Sequence, residues 1–193
     1  MAKSAGPRPL PIIWGFLALL IALGVPDSAH AGAFELGFGF FFTRNDYGDG
    51  NFSWDRRWGS SFGYHFNEHN EVELAFQDEY TRNLISGLED TAFHDRVISL
   101  NWVQSLLGKD YAVQPYLKLG VGQLIRDASG SYATGIPVPE EVDSLTGVLG
   151  AGMRIYLTRT FALRAEATTY LVGGSLRTWK DNYGVQFGAS IFF

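Results

Sequence analysis

The stretch Asn182-Tyr-Gly-Val-Gln-Phe-Gly-Ala-Ser-Ile-Phe-Phe193 decides the fold. Its odd positions carry Tyr183, Val185, Phe187, Ala189, Ile191 and Phe193, and its even positions carry Asn182, Gly184, Gln186, Gly188, Ser190 and Phe192. A period of two is that of a β-strand with one apolar and one small polar face. A strand that runs to the last residue of the sequence stays ordered only when it is tied into a sheet.

Working outward, the same alternation predicts seven more strands. They lie near Phe34–Arg44, Arg57–Phe66, Glu71–Tyr80, Arg96–Gln104, Val113–Ile125, Ser144–Leu157 and Phe161–Leu171. Short turns fall at 67–70, 106–111 and 158–160. Longer segments rich in Gly, Pro, Asp and Asn, read as loops, fall at about 45–55, 81–94, 127–143 and 172–181. The N-terminus has another character. Lys3 and Arg8 precede an apolar run from Ile12 to Val25, too short to span a bilayer as a helix, and Ala29-His-Ala31 is an A-x-A cleavage site. Residues 1–31 therefore read as a cleavable signal peptide and 32–193 as one domain.

Composition narrows the classes. There is no Cys, so disulfide and thiol chemistry are excluded. The net charge of −5 argues against nucleic acid as a partner. Alternation alone does not say which face meets solvent, because a soluble lipocalin-like barrel alternates too. Three features favour lipid outside. The polar face is small, with Gly59, Gly63, Gly120, Gly122, Gly150, Gly152, Gly184 and Gly188, as a narrow lumen requires. The apolar face carries aromatics near strand ends, Phe34, Trp58, Phe66, Trp102, Phe161, Tyr183 and Phe193, where an interfacial girdle belongs. Export by a signal peptide fits the same destination. The expected fold is all-β: an eight-stranded antiparallel transmembrane β-barrel of up-and-down topology, with both termini on the short-turn side.

The segments Gln114-Pro-Tyr-Leu-Lys-Leu-Gly-Val-Gly122, Gly150-Ala-Gly-Met-Arg-Ile-Tyr156 and Leu163-Arg-Ala-Glu-Ala167 resemble the pattern of small bacterial outer-membrane β-barrels of the OmpA/OmpX/OmpW type. The terminal Phe193 resembles the C-terminal signal of such barrels. The resemblance implies an integral protein of the cell outer membrane, with outer-membrane lipid and lipopolysaccharide as neighbours. It also implies that the barrel-insertion machinery reads Tyr183, Phe187, Ile191 and Phe193. The resemblance to OmpA does not extend to its peptidoglycan-binding domain, so anchoring to the cell wall by that route is not implied. Many unrelated roles share this architecture, so the resemblance is weak on function.

Chemistry is sparse. Glu35, Arg57, Glu73, Glu79, Lys118, Arg154, Arg164 and Glu166 fall on the lumen face. Buried charges must pair, so cations of the fifth to seventh strands are expected to meet acids of the first, third and seventh. Such a network would plug the barrel, which favours a structural or surface-interaction role for a monomer. The alternative is a narrow passive channel with charged rings. A lipid-modifying enzyme comes third: His65, His69 and His94 do not converge and no His-x-Ser pair occurs. No catalytic residue, metal or cofactor is assigned. His65 and His69 read as solvated turn and lumen residues lacking a third ligand. Asn45–Asn51 lacks the order of a calcium loop. The acids Asp46, Asp49, Asp55, Asp127, Glu140, Glu141 and Asp143 read as solvated loop residues, with divalent bridging to lipopolysaccharide phosphate as the alternative.

If Phe193 belongs to an insertion signal, its deletion lowers outer-membrane yield while secretion into the periplasm is unchanged. Cell fractionation with heat-modifiable gel mobility measures this, and unchanged yield and mobility would remove the signal reading.

Overall fold

A computed structural model describes residues 34–108, 111–132, 141–175 and 182–193. The expected signal peptide lies outside these residues. Eight strands follow one another: β1 (Phe34–Gly48), β2 (Asn51–His65), β3 (Asn70–Ile85), β4 (Glu89–Ser105), β5 (Val113–Tyr132), β6 (Val142–Tyr156), β7 (Phe161–Val172) and β8 (Tyr183–Phe192). Each pairs antiparallel with its sequence neighbour, and β1 also pairs with β8, so the sheet is a closed ring. The seam is in register from Glu35↔Phe192 to Phe40↔Phe187. Beyond it, Phe34 and Phe193 exchange reciprocal backbone hydrogen bonds of 3.1 Å.

Parity sorts the side chains. Phe38, Leu74, Leu119, Val121 and Phe187 are each more than half exposed on the outer face. A soluble protein does not leave so much contiguous apolar surface in water, whereas a membrane barrel presents such a belt, about 25 Å tall, to lipid. The glycine face points inward, as the sequence led us to expect.

The segments read as long loops are largely strand, and this corrects the sequence reading. Residues 45–55 form a hairpin whose turn is Asp49-Gly50, with φ of 52° and 80°. Positive φ at both central residues is what a two-residue hairpin with right-handed strand twist requires, and Asp-Gly supplies it. Residues 81–94 form another hairpin, closed by Leu88 N–H to Ile85 O at 2.9 Å. β5 continues to Tyr132, beyond the expected Ile125. Local Asp, Asn and Gly content suggested loops, but the cross-strand ladder overrode it. The asymmetry between the two ends survives as strands that project beyond the belt on the side opposite the short turns.

Trp58 is likewise not at a strand end. It lies inside β2 at the upper edge of the apolar belt, donating its indole N–H to Asp78 at 3.0 Å. Tyr183 marks that edge on β8. Phe34, Phe66, Trp102, Phe161 and Phe193 ring the short-turn end, where Phe66 and Trp102 lie 5.3 Å apart and Phe34 and Phe193 stack at 5.9 Å.

The seam admits no side chain at Gly188, because a Cβ there would fall on the Phe38 carbonyl oxygen. Gly147 is different: its nearest neighbour would be the Leu171 Cβ at 3.4 Å. We therefore expect Gly188→Ala to destabilise the refolded barrel by about 1–3 kcal/mol and Gly147→Ala to stay within about 0.5 kcal/mol. Urea midpoints of both variants measure the difference.

Candidate functional site

The lumen holds the dense chemistry of the molecule, and it is built in layers. Nearest the short turns, Arg154 on β6 is fully buried, its Nη2 lying 2.8 Å from Glu35 and 2.5 Å from Glu71. Arg164 on β7 donates from Nη2 to Glu73 at 2.7 Å and to Glu166 at 2.5 Å, and from Nε to the Tyr116 hydroxyl at 2.7 Å. That hydroxyl donates in turn to Glu166 at 2.6 Å. Lys118 bridges Glu73 and Glu166, at 2.7 Å from each. Both guanidinium groups face the Tyr116 ring, at 4.6 and 5.3 Å.

Six of the eight residues expected in the network, Glu35, Glu73, Lys118, Arg154, Arg164 and Glu166, meet in this cluster. Its cations come from β5 to β7 and its acids from β1, β3 and β7. Arg57 and Glu79 pair with each other in a separate layer nearer the outer end. Two further members were overlooked. Glu71 shares strand parity with Glu73, and that was the available signal. His65 is the second: its Nε2 lies 3.0 Å from Glu35 and 3.7 Å from Glu71. It is a buried partner of two carboxylates, which corrects its reading as a solvated residue.

Glu35, His65 and Glu71 also form a group of possible metal ligands, with ligand atoms all within 4.8 Å of one another. His69, weighed with His65 as a ligand pair, is not part of this group. The Arg154 guanidinium already sits on both carboxylates, however, so a metal ion would meet a fixed positive charge there. With His65 included, the cluster sets four carboxylates, Glu35, Glu71, Glu73 and Glu166, against four basic side chains.

Above this cluster an apolar layer of Val97, Leu124, Val148 and Tyr170 crosses the lumen. The Tyr170 hydroxyl ties it to Gln77. Between the layers is a cavity of about 30 Å³, lined in part by Gln77, Asn101, Glu166 and Gln186. That is room for a water and not for a file of hydrated ions. Toward the outer end lies a vestibule of about 230 Å³ walled by Glu79, Asn83, Asp95, Arg126 and Tyr170. There Arg126 grips Asp95 through two bonds of 2.7 and 2.5 Å. This pair escaped the sequence reading because β4 and β5 were expected to stop short of it.

The profile of the family described as "Outer membrane protein beta-barrel domain" matches residues 15–192. The chain belongs to this family. No curated protein matches the sequence. Among solved structures, the outer membrane protein OprG from Pseudomonas aeruginosa is similar at 18% identity and a TM-score of 0.55, over 84% of this chain and 96% of that one. The N-terminal β-barrel domain of P. aeruginosa OprF gives 17% and 0.51, over 84% and 98%. Neisserial surface protein A gives 13% and 0.51, over 86% and 100%. At these identities the likeness concerns the fold. As a member of the outer-membrane barrel family, the protein is an integral outer-membrane barrel whose apolar belt contacts lipid, with a lumen filled by ion pairs.

Removing one partner of a buried pair strands the other charge. Arg164→Ala is expected to cost about 3–5 kcal/mol. Arg96→Ala removes a cation that meets Asp127 with about half of each side chain exposed, and should cost about 1 kcal/mol or less. Urea unfolding of the two refolded variants measures the contrast; equal midpoints would mean that the lumen charges are hydrated.

Proposed function

We propose that this protein is a structural and surface-interaction barrel, monomeric and non-enzymatic, that presents its projecting strands outside the membrane and conducts no solute. The observation that carries the reading is the cross-lumen cluster on Arg154 and Arg164, which joins β1, β3, β6 and β7 and, with the apolar layer above it, encloses a cavity of only about 30 Å³ between them. A side-chain-filled interior suits an eight-stranded barrel that acts as a rigid scaffold.

The route to the membrane is part of the proposal. Cleavage after Ala31 would release the mature chain, and the apolar face of β8, with Tyr183, Phe187, Ile191 and Phe193, would be read by the barrel-insertion machinery.

Planar-bilayer recording of the refolded protein tests the reading. We expect no discrete conductance steps above the bare bilayer. Reproducible ohmic steps would replace the scaffold by the narrow channel, with the vestibule as its mouth.

A further inference from the structure

The outer face of the barrel changes character along a sharp line. Counting from the short turns, the first outward charged residue beyond the apolar belt is Arg44 on β1, Arg56 on β2, Asp78 on β3, Arg96 on β4, Asp127 on β5 and Asp143 on β6. Most of these are already satisfied. Asp78 accepts from Trp58 and pairs with His94, Arg96 meets Asp127 at 2.6 Å, and Asp143 accepts from Gln123. The β1–β3 sector is different.

In that sector Arg44, Trp54 and Arg82 stand directly opposite one another across β1, β2 and β3, and Arg56 lies two residues below Trp54 on the middle strand. Two strand spacings separate Arg44 from Arg82, about 10 Å between backbones. Three long side chains thus surround one indole. Two of them converge further: the guanidinium groups of Arg44 and Arg82 lie 5.3 and 6.0 Å from the centre of the same Phe52 ring. Among the described residues Arg44 and Arg56 have no carboxylate partner, and Arg82 has only Asp90, at 3.4 Å with both side chains about half exposed. Of the other nearby acids, Asp46 accepts from the Gly48 N–H at 3.0 Å, and Asp78, diagonal to Arg56, is taken by Trp58 and His94. Asp55, expected to be an outer loop acid, has the opposite parity and points into the barrel.

Like charges gathered on an aromatic floor, short of acids, form a site for an anion. Guanidinium groups bind phosphate through paired hydrogen bonds, and a stacked guanidinium is already oriented to do so. Phe42, Trp54 and Tyr80 complete the floor, with Phe42–Trp54 at 6.2 Å and Trp54–Tyr80 at 5.1 Å. Aromatic rings belong at the headgroup level of a bilayer, and this patch occupies the two rows directly above Phe40 and Trp58.

We propose that Arg44, Arg56 and Arg82 form a binding site for the phosphate groups of an anionic lipid of the outer leaflet, its acyl chains lying on the belt below, over Phe38, Phe40 and Phe76. The occupant is a membrane lipid and not a soluble anion, because the three arginines face the lipid side of the wall and continue directly into the apolar belt. The acidic sector on β5 and β6 lies elsewhere on the ring, so a bound lipid would have a fixed position around the barrel. The proposal rests on the outer-membrane assignment and not on the closed lumen, so a conducting barrel would leave it intact.

The test places the refolded protein in phosphatidylcholine vesicles containing graded amounts of bisphosphorylated lipid A. Dephosphorylated lipid A is used in parallel, as is inorganic phosphate in the buffer. Emission of Trp54 and Trp58, together with the urea midpoint, reports binding. A near-surface arginine is worth about fivefold in affinity toward anionic lipid, so the three together give roughly a hundredfold. We expect bisphosphorylated lipid A to bind roughly a hundredfold more tightly than the dephosphorylated form. The triple variant R44Q/R56Q/R82Q should lose that preference, and Arg96→Gln should keep it. Equal binding of the two lipids by the wild-type protein, or an unchanged preference in the triple variant, overturns the site. An equal response to inorganic phosphate overturns the assignment to lipid. If the triple variant does not fold, the wild-type comparison and Arg56→Gln, with an expected loss of about fivefold, decide the matter.

Discussion

Every backbone N–H and C=O in the lipid-facing wall must find a partner within the wall, because hydrocarbon offers none. That constraint closes the ring. β1 and β8 meet at the seam where Gly188 lies against the Phe38 carbonyl and the Phe34 and Phe193 backbones bond each other. Once the ring is closed with eight strands, its bore is just wide enough for side chains to fill. Glycines on some strands give the space that Arg57, Tyr116 and Glu71 occupy from others. The ion pairs follow from the same closure, since a charge inside this wall has only other side chains to answer it.

The two charged regions obey different physics. Inside, Arg154 is held by two carboxylates and Arg164 by three, each also against an aromatic face, and their geometry is fixed by what surrounds them. Removing a member leaves an unpaired buried charge, so the cluster resists change. Outside, Arg44 and Arg56 are exposed without a carboxylate partner among the described residues, and Arg82 is half exposed with only a loose contact to Asp90, so their charge is open to a partner. The closed lumen and the open patch thus assign rigidity to the interior and recognition to the surface.

The fold was legible because β-barrel parity is a two-letter code. Phe34 to Phe42 and Tyr183 to Phe193 show it without help from tertiary structure, and small residues on the opposite face indicated which side was the lumen. The lumen charges were legible for the same reason, Glu73, Arg154 and Arg164 all having inward parity. Three things were not. The extent of the strands was hidden because turn-forming residues such as Asp46, Asn83 and Asp127 sit inside ladders formed by long-range pairing. His65 and Glu71 were discounted because both flank a turn, and only closure of the ring brings Glu35 and Arg154 to them. The arginine patch was hidden because Phe52, Trp54 and Arg82 fell in stretches read as loops, with Arg44 and Arg56 only at the edges of expected strands; once 45–55 and 81–94 are strands, Arg44, Arg56 and Arg82 share a face.

The projecting strands run one continuous ladder through two solvents. β4 and β5 have 17 and 20 residues and stay paired from Glu89↔Tyr132 to Ser105↔Tyr116, yet the apolar belt covers only the part below Arg96 and Asp127. Below that line a broken backbone hydrogen bond faces hydrocarbon, whereas above it water can replace the lost partner at small cost. Amide hydrogen exchange along a single strand therefore has two regimes, slow in the membrane and fast toward the tip, with the change near Arg96. The outer hairpins can open and reclose while the wall beneath them stays shut, so the parts that meet the surroundings fluctuate without endangering the seal of the membrane.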